Sequence, residues 1–372
     1  MTTNTAAWIT GRHARLEVGP AAYPSPGTGQ IVVRNQAVAI NPLDWIIQAA
    51  GNLAYRWLRY PTVLGSDVAG EVVEVGENVT RFRVGDRVLA HAVGTDKDVN
   101  NAAEGAFQLY SVVLERLACP IPDALSADEA AVLPLAVSTA ACGLFQTDQL
   151  GLRHPSANAE PVDETVLVWG GSTSVGSNAV QLAAAAGYWV IATASPRNFD
   201  YVTSLGAAEV FDYNSPSVVP DIITALQGRE LAGALAVGTT SAAACVRIAG
   251  SCTGRRFVSI ASPAVSFAGL AHEHGRLEVP RLIFRLITSN VALQIRSRFR
   301  RVATKYIFGT TLKTNEVSTA IYRDFLPSAL AEGRYAAVPK PLVAGHGIHD
   351  LQHAMDIQLK GVSAEKVVVT LS

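Results

Sequence analysis

Between Gly170 and Gly176 the chain reads GGSTSVG, a stretch of small and hydroxylated residues with little to offer a hydrophobic core. Such a stretch is suited to binding an anion. Free backbone N–H groups converge in a glycine-rich turn, and where a helix follows, the positive end of its dipole adds to them, so a pyrophosphate is the natural occupant. Gly170 suits a tight exit from a strand, and Gly176 a close approach of helix to sheet. The glycine usual between them is missing. Ser172, Thr173 and Ser174 stand there instead, with hydroxyls able to cap the helix and to hydrogen-bond phosphate oxygens. Further on, Ala194-Ser195-Pro196-Arg197-Asn198 holds no Asp or Glu where an NAD site places one for the ribose hydroxyls. Ser195 and Arg197 suit a 2′-phosphate, which a guanidinium grips through paired hydrogen bonds. The chemistry indicated is dinucleotide binding, with NADPH the favoured cofactor.

These groups need a strand before them and a helix after them. Thr165 to Trp169 is apolar and rich in β-branched residues, as a strand buried in a parallel sheet is. Val175, Ala179, Leu182, Ala183 and Ala186 then recur at helical spacing, giving one apolar face to lie on that sheet. Gly187 ends the helix, and Tyr188 to Ala194 is a second apolar strand. Strand, turn, helix and strand make a βαβ unit, the half-fold of a nucleotide-binding domain.

The whole chain, 372 residues, exceeds one ordinary core, so two domains are expected. Its 30 basic and 31 acidic residues point to neither nucleic acid nor any strongly charged partner. No apolar run is read as membrane-spanning, and MTTNTAAWITGRHARL lacks the charged start and continuous apolar stretch of a secretory signal, which makes the cytoplasm the expected location. Cys119, Cys142, Cys245 and Cys252 are scattered without a CxxC pair, and buried free thiols are expected rather than disulfides or a zinc knot. His346, His349 and His353 lack an accompanying HExxH and read as a surface helix face. Asp148 to Thr165, with two prolines and few apolar residues, reads as a long surface connection. Arg276 to Lys305 is studded with Arg, with Ile283, Phe284, Ile287, Val291 and Ile295 at partly helical spacing. It reads as a solvated face, or as a docking surface for an acidic acyl carrier protein.

The first 125 residues are β-rich: QIVVRNQAVAIN alternates, and Gly65 to Gly76 followed by VGDRV reads as strand, turn and strand. Together with NPLDW at Asn41 to Trp45 and GSDVAGEVVEVG at Gly65 to Gly76, placed ahead of the dinucleotide unit, this resembles the medium-chain dehydrogenase/reductase superfamily end to end. The resemblance implies an α/β fold: a GroES-like β-rich catalytic domain over residues 1–128, a Rossmann domain with a doubly wound parallel sheet over 129–305, and a return to the catalytic domain over 306–372, closed by a strand from Lys366 to Leu371. Zinc-dependent members carry Cys, Gly-His-Glu and a further Cys where this chain has Asn41, Gly65-Ser66-Asp67 and Leu135, and those side chains cannot replace N and S ligands. The implied branch is the zinc-independent quinone oxidoreductases, and VLVWGGSTSVGS, ATASPRNFDYVTSLGAAEVFDY and LPLAVSTAACGLFQ are similar to fungal trans-acting enoyl reductases of polyketide biosynthesis.

From the resemblance, Ser195, Arg197 and Tyr213 surround the adenosine 2′-phosphate, and Asn198 is a further cofactor-binding candidate. Gly170, Ser172, Thr173, Ser174 and Val175 hold the pyrophosphate, and Asn41, Asp44, Ser138 and Thr139 border the cofactor elsewhere. Catalytic roles are expected of Thr139, beside the substrate carbonyl, and of a proton source in place of the lysine that relatives carry after NPxDW, either water or a side chain such as Tyr55 or Tyr60. Here that position is Ile46, which has no proton to give. Two functions follow as expectations. One is an NADPH-dependent reductase of an activated C=C bond in a small-molecule or carrier-bound enoyl substrate, acting as a monomer or homodimer without nucleic acid or membrane. The other is a reductase fold that has lost hydride transfer and serves as a cyclase or non-redox partner of a synthase.

Overall fold

The computed structural model describes residues 3–53, 55–272 and 278–371, so Arg276 lies outside the described residues. The chain divides into two compact units, one built from 1–135, 267–274 and 313–372, the other from 136–266 and 275–312.

The first unit is a β structure. Its centre is the long strand Gln30–Ala39, buried at most positions on both faces because it runs through the middle of a sheet. That sheet runs in the order Lys340–His346, Glu365–Thr370, Gln30–Ala39, Asp67–Val75, Arg87–His91, Ala118–Pro120, and Tyr110–Leu114 also pairs with the central strand. Ala39 sits opposite Asp67 on one side and Val368 on the other, so three chain segments far apart in sequence meet at one end of the central strand. A smaller sheet joins Asn4–Ile9 to Leu16–Ala21 and Thr62–Val63. The core is aliphatic, with Ile31, Val33, Val38, Leu64, Val68 and Val369 excluded from solvent. Helix α1 (Pro42–Ala50) follows the central strand directly; Pro42 stands at its first position, where a missing N–H costs nothing.

The second unit is a parallel sheet of six strands, β1 (Glu164–Trp169), β2 (Trp189–Ala194), β3 (Glu209–Asp212), β4 (Glu230–Ala236), β5 (Phe257–Ile260) and β6 (Ala303–Tyr306). Their spatial order, β3-β2-β1-β4-β5-β6, is that of the doubly wound dinucleotide-binding fold. β6 carries the sheet past residue 305, to Tyr306. Helix α2 (Pro134–Phe145) precedes this sheet, and α3 (Ser174–Ala185) makes the first crossover, its Ala179, Val180, Leu182 and Ala183 fully buried. Helix α4 (Glu278–Arg300) leads into β6.

Two features differ from the sequence reading. The segment 127–145 is long and apolar enough, by length and composition, to cross a membrane, although no such run was expected; it is a core segment, with 83% of its apolar window buried inside the protein. The connection after α2 is not all surface: Leu150 and Leu152 are buried, and Arg255 donates to the carbonyls of Gln149 (2.8 Å) and Leu150, while the longest stretch without a buried residue is 156–163. In keeping with a solvated face, the apolar residues that give Arg276 to Lys305 its helical spacing point outward. All four cysteines are buried and free, and His349 and His353 are exposed.

Candidate active site

The turn after β1 is shaped by its glycines. Gly170 has φ +85°, a left-handed conformation that a side chain disfavours, and a Cβ there would lie 2.8 Å from the Val237 carbonyl oxygen. A Cβ on Gly176 would come within 2.1 Å of the Gly170 carbonyl oxygen, so the close approach of α3 to β1 needs a residue without one. Thr173 caps α3: its Oγ1 accepts from the Gly176 N–H at 3.0 Å and donates to the Gly170 carbonyl at 2.7 Å. Ser177 Oγ ties the same loop to the Gly171 carbonyl at 3.0 Å. Ser174 differs from Thr173: its Oγ is buried at the first turn of α3 and has no hydrogen-bond partner in the protein. Ser172 and Val175 are half-buried beside it. A helix N-terminus, a glycine-shaped cradle and an unsatisfied hydroxyl fit a bound pyrophosphate.

Neighbouring strands bring the remaining adenosine-side residues to the same edge of the sheet. Ala194 pairs with Asp212, and the Tyr213 N–H reaches the Ala194 carbonyl at 3.4 Å, so Ser195, Arg197 and Tyr213 stand at the carboxyl ends of β2 and β3, next to the turn after β1. Ligands of open α/β sheets bind at that edge. Arg197 and Tyr213 are exposed, while Asn198 is buried and donates through Nδ2 to Ser195 Oγ at 3.2 Å. One carboxylate that the sequence reading passed over lies here, Asp212. Its Oδ1 already accepts from Asn214 N–H (2.9 Å) and Nδ2 (3.2 Å), which commits it to its own turn. On α2, Ser138 is fully buried and Thr139 nearly so; Gly309 packs so closely on Thr139 that a Cβ there would lie 2.9 Å from Thr139 Oγ1.

In the first unit, Asn41 and Asp44 join a buried polar network. Asp67 is fully buried; its Oδ2 accepts from Lys366 Nζ at 2.8 Å and from Asn41 Nδ2 at 2.7 Å, and its Oδ1 from the Leu135 N–H at 2.6 Å. Lys366 Nζ also donates to Asn41 Oδ1 at 2.7 Å. Asp44 accepts from the Asn41 N–H (2.8 Å) and the Gly65 N–H (3.2 Å), fixing the start of α1 against the loop before Asp67. Burial pushes the Asp44 carboxyl up to about 7, with the two backbone donors working against it, and pushes the imidazole of His91, directly across from Asp67, down to about 4. Asn41 and Leu135 therefore meet on one carboxylate, beside Ser66. That set offers an amide, a hydroxyl and an alkyl chain, which do not fit zinc, and no group of three His, Cys, Asp or Glu is placed to hold a metal among the described residues. Lys366 was read only as the start of a closing strand. The clue was a lone cation in an apolar run, KVVVT, since a buried lysine needs a partner.

Tyr55 stacks on Trp57 with ring centroids 4.8 Å apart, and burial raises the pKa of its phenol. Tyr60 carries a buried hydroxyl with no hydrogen-bond partner. Ile46 is half-buried on α1, next to Trp45, whose indole donates to Gln358.

Residues 27–123 match the alcohol dehydrogenase GroES-like domain family. The chain is 50% identical to the dehydrogenase pigH of Monascus ruber, with 100% of both chains covered. It is 36% identical to the trans-enoyl reductase himH of Aspergillus japonicus over 99% of this chain and 98% of that one. In structure it is similar to an alcohol dehydrogenase superfamily protein from Novosphingobium aromaticivorans, with TM-score 0.72, 26% identity and 100% of each chain covered.

Proposed function

The chain belongs to the medium-chain dehydrogenase/reductase superfamily, and we propose that within it the protein is a zinc-independent, NADPH-dependent reductase of an activated C=C bond in a small-molecule or carrier-bound enoyl substrate of fungal polyketide metabolism. The observation that carries the cofactor reading is the grouping of Ser195, Arg197 and Tyr213 at the ends of β2 and β3, beside a turn shaped for a pyrophosphate, with no carboxylate in Ala194 to Asn198. The 36% identity to a trans-enoyl reductase supports the reaction class. Arg197 and Ser195 hold the 2′-phosphate. The N–H groups at the start of α3 and the hydroxyl of Ser174 hold the pyrophosphate. When bound, NADPH supplies a hydride from C4 of its nicotinamide. Thr139 donates a hydrogen bond to the substrate carbonyl oxygen, where negative charge develops. The phenol of Tyr55, like any tyrosine, is protonated at neutral pH and so has a proton to give where Ile46 has none, although burial, which raises its pKa, makes it a weaker acid.

Ile46 also favours a second reading, a site that binds the cofactor without reduction and serves a synthase as cyclase or partner. Following NADPH oxidation by the parent and by Ile46→Lys against one series of 2-enoyl thioesters and quinones separates the two. Turnover by the parent, with no zinc by elemental analysis and undiminished in EDTA, is the expected result. Two inactive forms that still bind NADPH would overturn enoyl reduction, and one zinc per chain would overturn the metal reading.

A further inference from the structure

Helix α4 is apolar on two opposite sides. Leu282, Leu293 and Ser297 lie on the buried side. On the other, Phe284 (68% exposed), Ile287 (58%), Val291 (51%), Ile295 (54%) and Phe299 (89%) follow one another at intervals of three and four residues, one continuous stripe along the helix. At about 1.5 Å per residue the stripe is roughly 22 Å long, some four helical turns. A folded protein seldom leaves so many large apolar side chains in line in water unless something covers them.

Charge indicates what covers them. From Glu278 to Lys305 there are seven Arg and Lys and a single acid, Glu278 itself, whereas the rest of the chain carries 23 basic and 30 acidic residues. A second copy of the protein would set this cationic face against itself, so self-association opposes the charge pattern. A protein surface with acidic groups around apolar side chains complements it. An anionic lipid surface would also take a basic amphipathic helix. One further feature favours a protein. Between the last turns of α4 and β6 lies a groove of about 460 Å³, lined by Ile295, Ser297, Arg298 and Ala303 among others. Inside it the Ser297 hydroxyl is buried without a hydrogen-bond partner. β6 is the last strand of its sheet, and the N–H groups of Ala303 and Ile307 point inward, so the alternating pattern turns those of Thr304 and Tyr306 to the outer edge. A concave groove that is apolar over most of its lining but holds an unpartnered hydroxyl beside a strand edge takes a chain with apolar side chains and its own donors and acceptors, and a lipid surface presents no such chain.

We propose that the outward face of α4 and the adjoining groove dock an acidic partner protein through an amphipathic helix of about four turns, and that this partner is the carrier bearing the thioester-bound substrate. The proposal rests on the enoyl-reductase reading for its substrate, not for its surface. The test compares two substrates, the same 2-enoyl group on free pantetheine and on an acidic acyl carrier protein. It uses the parent, an apolar variant (Phe284→Ser, Ile287→Ser, Phe299→Ser) and a charge variant (Arg285→Glu, Arg296→Glu), all checked for fold by circular dichroism. The expected result is a KM for the carrier-bound substrate raised about tenfold or more in both variants, with kcat and the free-thioester kinetics held within about twofold, and a parental KM that rises with salt.

Unchanged carrier kinetics in both variants would overturn the proposal. In that case, binding of the parent but not the variants to phosphatidylserine/phosphatidylcholine vesicles would assign the face to lipid, and a dimer lost in the apolar variant would assign it to a second copy. If the parent reduces neither thioester, the reductase reading is the one that fails. Titration with a fluorescent holo-carrier protein then decides the docking surface: about tenfold weaker binding by the variants supports it, and equal binding or none by the parent overturns it.

Discussion

Two buried polar assemblies sit in this protein, one in each unit, and they are built on opposite terms. Around Asp67 the carboxylates have found their donors inside the chain: Asp67 takes a lysine, an amide and a backbone N–H, and Asp44 takes two backbone N–H groups more. At the turn after β1 the backbone is held just as firmly, by Thr173 and Ser177, yet Ser174 Oγ is left without a protein partner at a helix start. Burial alone does not distinguish a structural cluster from a binding site. Unmet hydrogen-bonding capacity does, because an unsatisfied buried group costs free energy that only a ligand recovers. The comparison also bears on the family resemblance. Asn41 and Leu135, two of the positions compared with zinc ligands, both hydrogen-bond here to the carboxylate of an internal ion pair, Asp67–Lys366.

Removing one partner of that ion pair is the most severe way to test its closed character. Lys366→Met leaves Asp67 buried and unpaired, and should destabilise the first unit by about 3–5 kcal/mol in urea unfolding; adding Asp67→Asn should restore much of it. A loss under about 1 kcal/mol would mean that water reaches the carboxylate and that the network is more open than described.

The titrating members of the network make a second test. His91, down to about 4 when folded from an ordinary 6.5, contributes stability that is complete above about 6.5 and lost as pH falls toward 4. Asp44 is shifted the other way, from 3.8 up to about 7, and its contribution is complete below about 4 and lost as pH rises toward 7. The two slopes oppose each other across the shared window. His91→Gln removes one of them, so its stability relative to the parent should improve by something on the order of 2 kcal/mol between pH 6.5 and pH 4. Parallel pH profiles for parent and variant would show that His91 is not held neutral.

In the second unit the expected losses fall on the ligand rather than on the fold. Arg197→Ala should weaken NADPH binding by about 1–3 kcal/mol in a fluorescence titration, leaving NADH binding as in the parent and the melting temperature of the free protein unmoved. An equal loss for both cofactors would place Arg197 somewhere other than at the 2′-phosphate. Thr173→Ala is the mildest change. Losing one helix cap should cost about 1 kcal/mol of stability, and a larger loss of dinucleotide binding than of stability would show that the cap also shapes the anion cradle.

Local sequence determined what depends on near neighbours. The βαβ unit, the glycine positions, the cap at Thr173 and the closing strand were legible because a strand, a turn and a helix announce themselves through residue types a few positions apart. The neighbourhood of the second unit's candidate residues has the same origin: Ser195 and Tyr213 follow directly on strand ends, Arg197 lies three residues past one, and parallel strands deliver their ends to one edge. Tertiary structure decided the rest. Lys366 meets Asn41 across 325 positions of sequence, and only the pairing of Gln30–Ala39 with a strand on either side brings the lysine and Asp67 together. In α4 the apolar spacing is plain in the sequence, but periodicity cannot say which of two apolar sides faces the sheet. Packing buried Leu282 and Leu293 and left Phe284 to Phe299 in water, because a helix lying on a sheet can bury one side only.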